Sequence, residues 1–162
     1  MTPTVNHSPT PTRSSLVLLG FIIVTFCAPA AGAGSPPGDW YASLAKPPWN
    51  PPGWIFGPVW TVLYLTMAVA AWLVWRRHGW CRALWIYLAQ LLLNAAWTPI
   101  FFGAREIGWA FAVIVALWIA ILFTVMAFLR VNKAAGWMLV PYLAWVTFAA
   151  FLNFTLWRMN PG

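Results

Sequence analysis

The stretch Lys46-Pro-Pro-Trp-Asn-Pro-Pro-Gly-Trp-Ile-Phe-Gly-Pro-Val-Trp-Thr-Val-Leu-Tyr64 decides how this chain is read. Pro47, Pro48, Pro51 and Pro52, with Trp49 and Trp54 among them, form a stiff segment that runs straight into an apolar helix. Each proline fixes its own φ and biases its predecessor toward extended geometry, so little backbone freedom remains to be lost. A rigid aromatic collar at the mouth of an apolar helix has the character of a lid over a binding site.

The solvent around that helix follows from composition. Of 162 residues, 62% are hydrophobic and 7% charged, whereas a soluble domain carries about 25% charged residues. Two acids against nine bases cannot cover a water-soluble surface. Five apolar spans can be read, residues 14–33, 54–75, 80–102, 107–129 and 137–157. Each is long enough to cross a hydrocarbon core of roughly 30 Å at about 1.5 Å per residue. Backbone groups in lipid must be satisfied internally, and no period-two alternation argues for a β-barrel. The expected fold class is an all-α membrane protein, a bundle of five transmembrane helices with a long Pro/Trp-rich first loop. Residues 1–13, rich in Pro, Thr and Ser, read as a disordered tail, and residues 14–162 as one domain.

Topology accounts for the net charge of +7. Arg13, Arg76, Arg77, Arg82, Arg130 and Lys133 fall at the N-terminus and after the second and fourth spans, on one membrane side and without an acid. The other side carries Lys46, Arg105 and Arg158 against Asp39 and Glu106. The positive-inside rule then puts the N-terminus in the cytoplasm and the proline-rich loop outside. The bases are scattered at helix ends, so no nucleic-acid partner is expected. Cys27 and Cys81 lie near opposite ends of the bundle, have no disulfide or metal-ligand spacing, and read as packing residues. Arg13, the run 16–26 and the small residues 28–33 fit a cleavable signal peptide as well as a retained first helix.

The connections 76–79, 103–106 and 130–136 are short, which predicts antiparallel neighbours in sequence order. Loop 34–53 is different, with 20 residues and six prolines, and is expected to be a ligand-site lid. In the fourth span Gly108, Ala112, Ala116 and Ala120 recur every four residues, a stripe that suits either a dimer face or internal packing. Tryptophan occurs 14 times. Trp75, Trp80, Trp109, Trp137 and Trp157 sit at span ends, where indoles anchor at the interface. Trp60, Trp118 and Trp145 lie well inside spans, where each N–H needs a partner that lipid cannot supply.

Polar residues within the spans are few and ordered. Gln90, Asn94 and Thr98 share one face of the third span, with Trp97 and Phe101 beside them. Trp145, Ala149 and Asn153 form a similar stripe in the fifth, and Phe56, Trp60 and Tyr64 in the second. Amides in hydrocarbon point inward, either to join helices or to line a site. Rings combined with amides, and a small Ala149 between them, compose a pocket for a flat apolar ligand. Trp40, Tyr41 and Trp49 of the loop are expected to close over it. No acid lies within a span, which speaks against a proton-coupled pump or cation channel. His7 and His78 sit in the tail and in a connection, so neither metal ligation in the pocket nor histidine-based catalysis is supported and no cofactor is expected.

Three ordered segments identify a family resemblance: the run from Trp40-Tyr41 through Lys46 to Tyr64, Gln90-Leu-Leu-Leu-Asn-Ala-Ala-Trp-Thr-Pro-Ile-Phe-Phe-Gly103, and Val140-Pro-Tyr-Leu-Ala-Trp-Val-Thr-Phe-Ala-Ala-Phe-Leu-Asn-Phe154. Together they resemble the TspO/MBR family of bacterial tryptophan-rich sensory proteins and mitochondrial translocator proteins. The resemblance implies a retained first helix, a homodimer, and a cavity capped by the first loop. It also implies porphyrins such as protoporphyrin IX and drug-like hydrophobic molecules as ligands. Its cavity positions fall on Trp60, Asn94, Trp97, Trp145 and Ala149. Phe154 stands where the family's weak sterol pattern wants a tyrosine, so tight cholesterol binding is not expected and a bacterial cell membrane is. The full set of expected ligand contacts is Trp40, Trp49, Phe56, Trp60, Asn94, Trp97, Trp145, Ala149 and Asn153, with Arg105, Arg158 or Lys46 meeting ligand carboxylates at the rim. Two other functions compete: light-dependent oxidative breakdown of porphyrin, and a partner-binding membrane protein whose cavity is incidental.

Overall fold

The computed structural model describes residues 11–161, all of its regular structure helical. The long helices are α1 (Pro11–Ala30), α3 (Phe56–His78), α4 (Arg82–Thr98), α5 (Ile107–Val131) and α7 (Val140–Met159), with the short α2 (Asp39–Ser43) in the first loop and α6 (Lys133–Met138) before α7. Five segments are long and apolar enough to cross a membrane: Thr12–Ala30, Gly53–His78, Arg82–Gly103, Ile107–Val131 and Lys133–Met159. The tail expected over residues 1–13 lies outside the described residues up to residue 10. Residues 11–13 already belong to α1.

Burial is arranged for lipid. Leu92 and Phe151 turn outward with 73% and 61% of their surface open, while Met67, Ala68, Ala70, Ala71 and Val74 of α3 are fully enclosed. Small residues on α3 let neighbouring backbones approach closely, which is how helices associate where solvent gives no hydrophobic drive. Trp54, Trp80, Trp109 and Trp137 stand open at span ends. Cys27 is exposed on α1, contrary to the packing role expected of it, because α1 buries Phe21, Thr25 and Ala28 and turns the intervening face outward.

Around the bundle the spans run first, second, fifth, fourth, third, with α1 touching both α3 and α4. Sequence neighbours therefore pack extensively except the second and third, which share only a small contact. Gly79 at φ 63 and the extended Cys81 carry the chain across α1 instead of folding it straight back. Two polar ties hold α1 in that wedge: Thr25 Oγ1 meets Tyr87 Oη, and Trp72 Nε1 donates to the Ser14 carbonyl at 2.9 Å.

The fifth span begins earlier than its hydrophobicity suggested. Asn132 alone separates α5 from α6, its side chain accepting from the Ala134 and Ala135 amides as an N-cap. The turn is tight enough that a Cβ on Gly136 would overlap Leu129. Ala112 and Ala116 of the four-residue stripe are exposed, so those two do not serve packing within the chain.

Candidate ligand cavity

At the end of the bundle that carries the first loop, the five spans and the loop enclose a cavity of about 440 Å³. Ligand pockets typically hold roughly 300–1,000 Å³. Helix α3 begins after a 3-10 turn (Gly53–Ile55) and sends Phe56, Trp60 and Tyr64 into it at four-residue spacing. Helix α4 supplies Asn94, Trp97 and Thr98, and α7 supplies Trp145, Ala149 and Asn153. Pro99 has no N–H to continue α4, and the chain widens into a π turn (Pro99–Gly103) that brings Phe101 and Phe102 to the same wall. Pro29 and Gly32 from the end of α1 complete it, where a Cβ on Gly32 would overlap Thr98.

The rings form two stacked pairs on this surface. Trp60 lies on Tyr64 with centroids 5.2 Å apart and planes 23° apart, and Trp97 on Phe101 at 4.9 Å and 25°. Phe56 meets Trp145 edge-on at 5.8 Å. These contacts fix flat faces against which a planar molecule can lie.

The amides are engaged rather than free. Tyr64 Oη donates to Asn94 Oδ1 at 2.8 Å, Asn94 Nδ2 to Tyr142 Oη at 3.0 Å, and Tyr142 Oη to Gln90 Oε1 at 2.9 Å. This chain of neutral groups ties α3, α4 and α7 together at the cavity floor. Trp97 Nε1 donates to Asn153 Oδ1 at 3.0 Å, and Asn153 Nδ2 to the Ile107 carbonyl at 3.0 Å. Both readings of the amides hold at once, since Asn94 and Asn153 join helices and border the cavity, whereas Gln90 only joins. Trp118 Nε1 finds Thr147 Oγ1 at 2.8 Å, away from the cavity. Trp145 Nε1 is the one buried side-chain polar atom among the described residues without a partner.

Phe56, Trp60, Asn94, Trp97, Trp145, Ala149 and Asn153 thus come together, and Trp40 and Trp49 do not join them. A turn closed by the Asn50 amide on the Pro47 carbonyl throws Trp49 outward, where it stacks on Phe151 at 5.3 Å. Trp40 rests edge-on against Phe101 at 5.9 Å, behind the wall. The loop presents Pro36, Pro37, Tyr41, Asn50 and Pro51 instead. Tyr41 Oη faces Asn50 Oδ1 at 3.4 Å, and burial raises its pKa above 10.0 against a smaller opposing pull from Asn50. That hydroxyl is neutral at physiological pH. Tyr142 was not singled out from the sequence, although it stands three positions before Trp145 and so on its face of the helix.

Among the described residues, no Lys, Arg, Asp or Glu lines the cavity. Lys46 Nζ turns back to the Ala42 and Leu44 carbonyls and over the Tyr41 ring, and the Arg105 guanidinium sits over Trp40 at 6.0 Å. The described residues hold no cluster of His, Cys, Asp or Glu suited to a metal. The arrangement can stack, exclude water and offer a few neutral hydrogen bonds.

A family model described as the TspO/MBR family matches residues 15–158. The sequence is 45% identical over 128 residues to the translocator protein of Ovis aries, covering 76% of each chain. It is 41% identical over 144 residues to the tryptophan-rich sensory protein of Cereibacter sphaeroides, covering 89% of this chain and 91% of that one. Against the protein CrtK of Rhodobacter capsulatus it is 40% identical over 146 residues, 88% of this chain and 91% of the relative.

Proposed function

We propose that this chain, which belongs to the TspO/MBR family, binds flat, mainly apolar ligands of the porphyrin class inside the bilayer and serves in their sensing, transport or regulation. It is a multi-pass membrane protein, with five helices of spanning length and homologues that include a tryptophan-rich sensory protein. The observation that carries the ligand reading is the cavity itself: about 440 Å³, walled by stacked rings and lined by no charged side chain. Stacking surface and apolar volume supply affinity there, and the neutral donors supply orientation. Drug-like aromatic molecules meet the same surfaces.

The same proposal sets the cationic end, with Arg76, Arg77, Arg82, Arg130 and Lys133, on the cytoplasmic side of a bacterial cell membrane and the first loop outside. It includes a homodimer, for which the open Ala112 and Ala116 on α5 leave room for a second backbone.

The experiment is a titration of tryptophan fluorescence with protoporphyrin IX in detergent. Saturable quenching is expected, and Trp60→Phe and Trp145→Phe each weaken it about tenfold through lost ring area. Because no cation lines the cavity, the dimethyl ester of protoporphyrin binds within about threefold of the free acid. Unchanged affinity in both tryptophan variants would remove the site assignment, and loss of binding by the ester would show that a charged rim recognises the ligand.

A further inference from the structure

Among the described residues, one side chain hydrogen-bonds the loop over the cavity to the bundle. Asn160, just past the end of α7, accepts from the Ala45 amide through Oδ1 at 2.9 Å and donates from Nδ2 to the Ala45 carbonyl at 3.0 Å. The same Nδ2 also reaches the Leu156 carbonyl at 2.8 Å, which in addition accepts the Asn160 backbone N–H at 3.1 Å. An amide side chain thus pairs with a backbone amide in both directions at once. The other hydrogen bonds of residues 39–51 that involve side chains close within the loop: Ser43 to Trp40, Lys46 to Ala42 and Leu44, Tyr41 to Asn50, and Asn50 to Pro51. Prolines at 47, 48, 51 and 52 have no N–H to offer, which leaves this part of the loop few backbone donors, and Ala45 uses its own on Asn160.

We propose that Asn160 is the latch of the lid, a positioning residue that sets how often the loop lifts from the cavity and so how fast a ligand enters and leaves. Its place on α7 supports a division of labour. Asn153 and Asn160 are seven residues apart and share one face of the helix. Asn153 is fully buried and binds two rigid helical partners, Trp97 and Ile107. Asn160 is only partly buried and binds a segment whose remaining hold on the bundle is apolar packing, Leu44 on the core and the rings Trp40 on Phe101, Tyr41 on Phe102 and Trp49 on Phe151. Ring contacts slide, and a two-way amide pair either forms or does not. Water can compete for the Asn160 pair and cannot reach the Asn153 pair, so the lid opens at Asn160 while the cavity floor stays intact.

The ligand arm of the test rests on the porphyrin reading, and the first arm does not. In lipid nanodiscs without ligand, hydrogen exchange of residues 39–50 is followed in the parent, Asn160→Ala and Asn160→Asp. Losing two neutral hydrogen bonds is expected to speed exchange there by about tenfold, with the long helices unchanged as the control for folding. Asn160→Asp retains the acceptor but sets an anion against the Ala45 and Leu156 carbonyls, so it opens the loop at least as far as Asn160→Ala. Stopped-flow quenching by protoporphyrin IX should then show association and dissociation both accelerated by about tenfold, with Kd little changed. Unaltered exchange at 39–50 in both variants would overturn the latch. Faster exchange with unaltered ligand rates in a protein that binds porphyrin would overturn its control of entry. If the parent does not bind porphyrin at all, the function proposed above fails, and the exchange result still decides the latch.

Discussion

Asn94 sits between two tyrosine hydroxyls, accepting from Tyr64 and donating to Tyr142. Asn94→Leu strands the buried Tyr64 hydroxyl and leaves Tyr142 with Gln90 alone, and thermal unfolding in detergent should report a loss of about 2–4 kcal/mol. Tyr142→Phe takes the partner from Asn94 Nδ2 and from Gln90 Oε1 and should cost about 1–3 kcal/mol. The double variant should lose less than the sum of the two, because the first substitution already breaks the chain that the second would break. How much of this was legible follows from what a helical period can and cannot say. Spacing put Asn94 and Asn153 on inward faces, since amides avoid lipid, and the rings of Phe56, Trp60 and Trp145 on the same cavity. It could not say which hydroxyl each amide meets, because that depends on how α3, α4 and α7 are set against one another. Trp40 and Trp49 stand outside the cavity lining for a similar reason. In a loop without a period, one turn between Pro47 and Asn50 decides which side chain faces in.

At the scale of the element, the five spans were legible because an apolar run of twenty residues has few other fates. Their ends were not. Asn132 caps α6 one residue after α5 stops, so a segment that reads as a polar connection is helix on both sides of a single residue. Close approach between elements is likewise invisible until partners are known, and glycines show it. A Cβ on Gly32 would overlap Thr98, and one on Gly136 would overlap Leu129, while one on Gly20 would meet nothing within 4 Å. Gly32→Ala and Gly136→Ala should each destabilise by about 1–3 kcal/mol in the same unfolding measurement. Gly20→Ala should be neutral or stabilise by up to about 1 kcal/mol, since it improves helix propensity in free space. Reversal of that order would show that the α1–α4 and α5–α6 approaches are looser than described.

At the scale of the molecule, the ring order of spans makes the cavity a joint product of all five, which no span pair could form alone. The proposed orientation is checked here as well. A cysteine-reactive probe that does not cross membranes, applied to intact cells, should label Gly38→Cys and should not label His78→Cys; the opposite pattern would invert the topology. The pairing of Asn160 with Ala45 joins residues 115 apart in the chain, farther than any other side-chain hydrogen bond described. That separation sets an order of events during synthesis. The loop is made after the first span and waits while four more spans are delivered into the bilayer, and the turn beyond the last of them supplies its hydrogen bonds to the bundle. Its rings can meet Phe101 and Phe102 once the third span is in place, so the lid is seated by packing first and fastened last, after every wall of the cavity has been made.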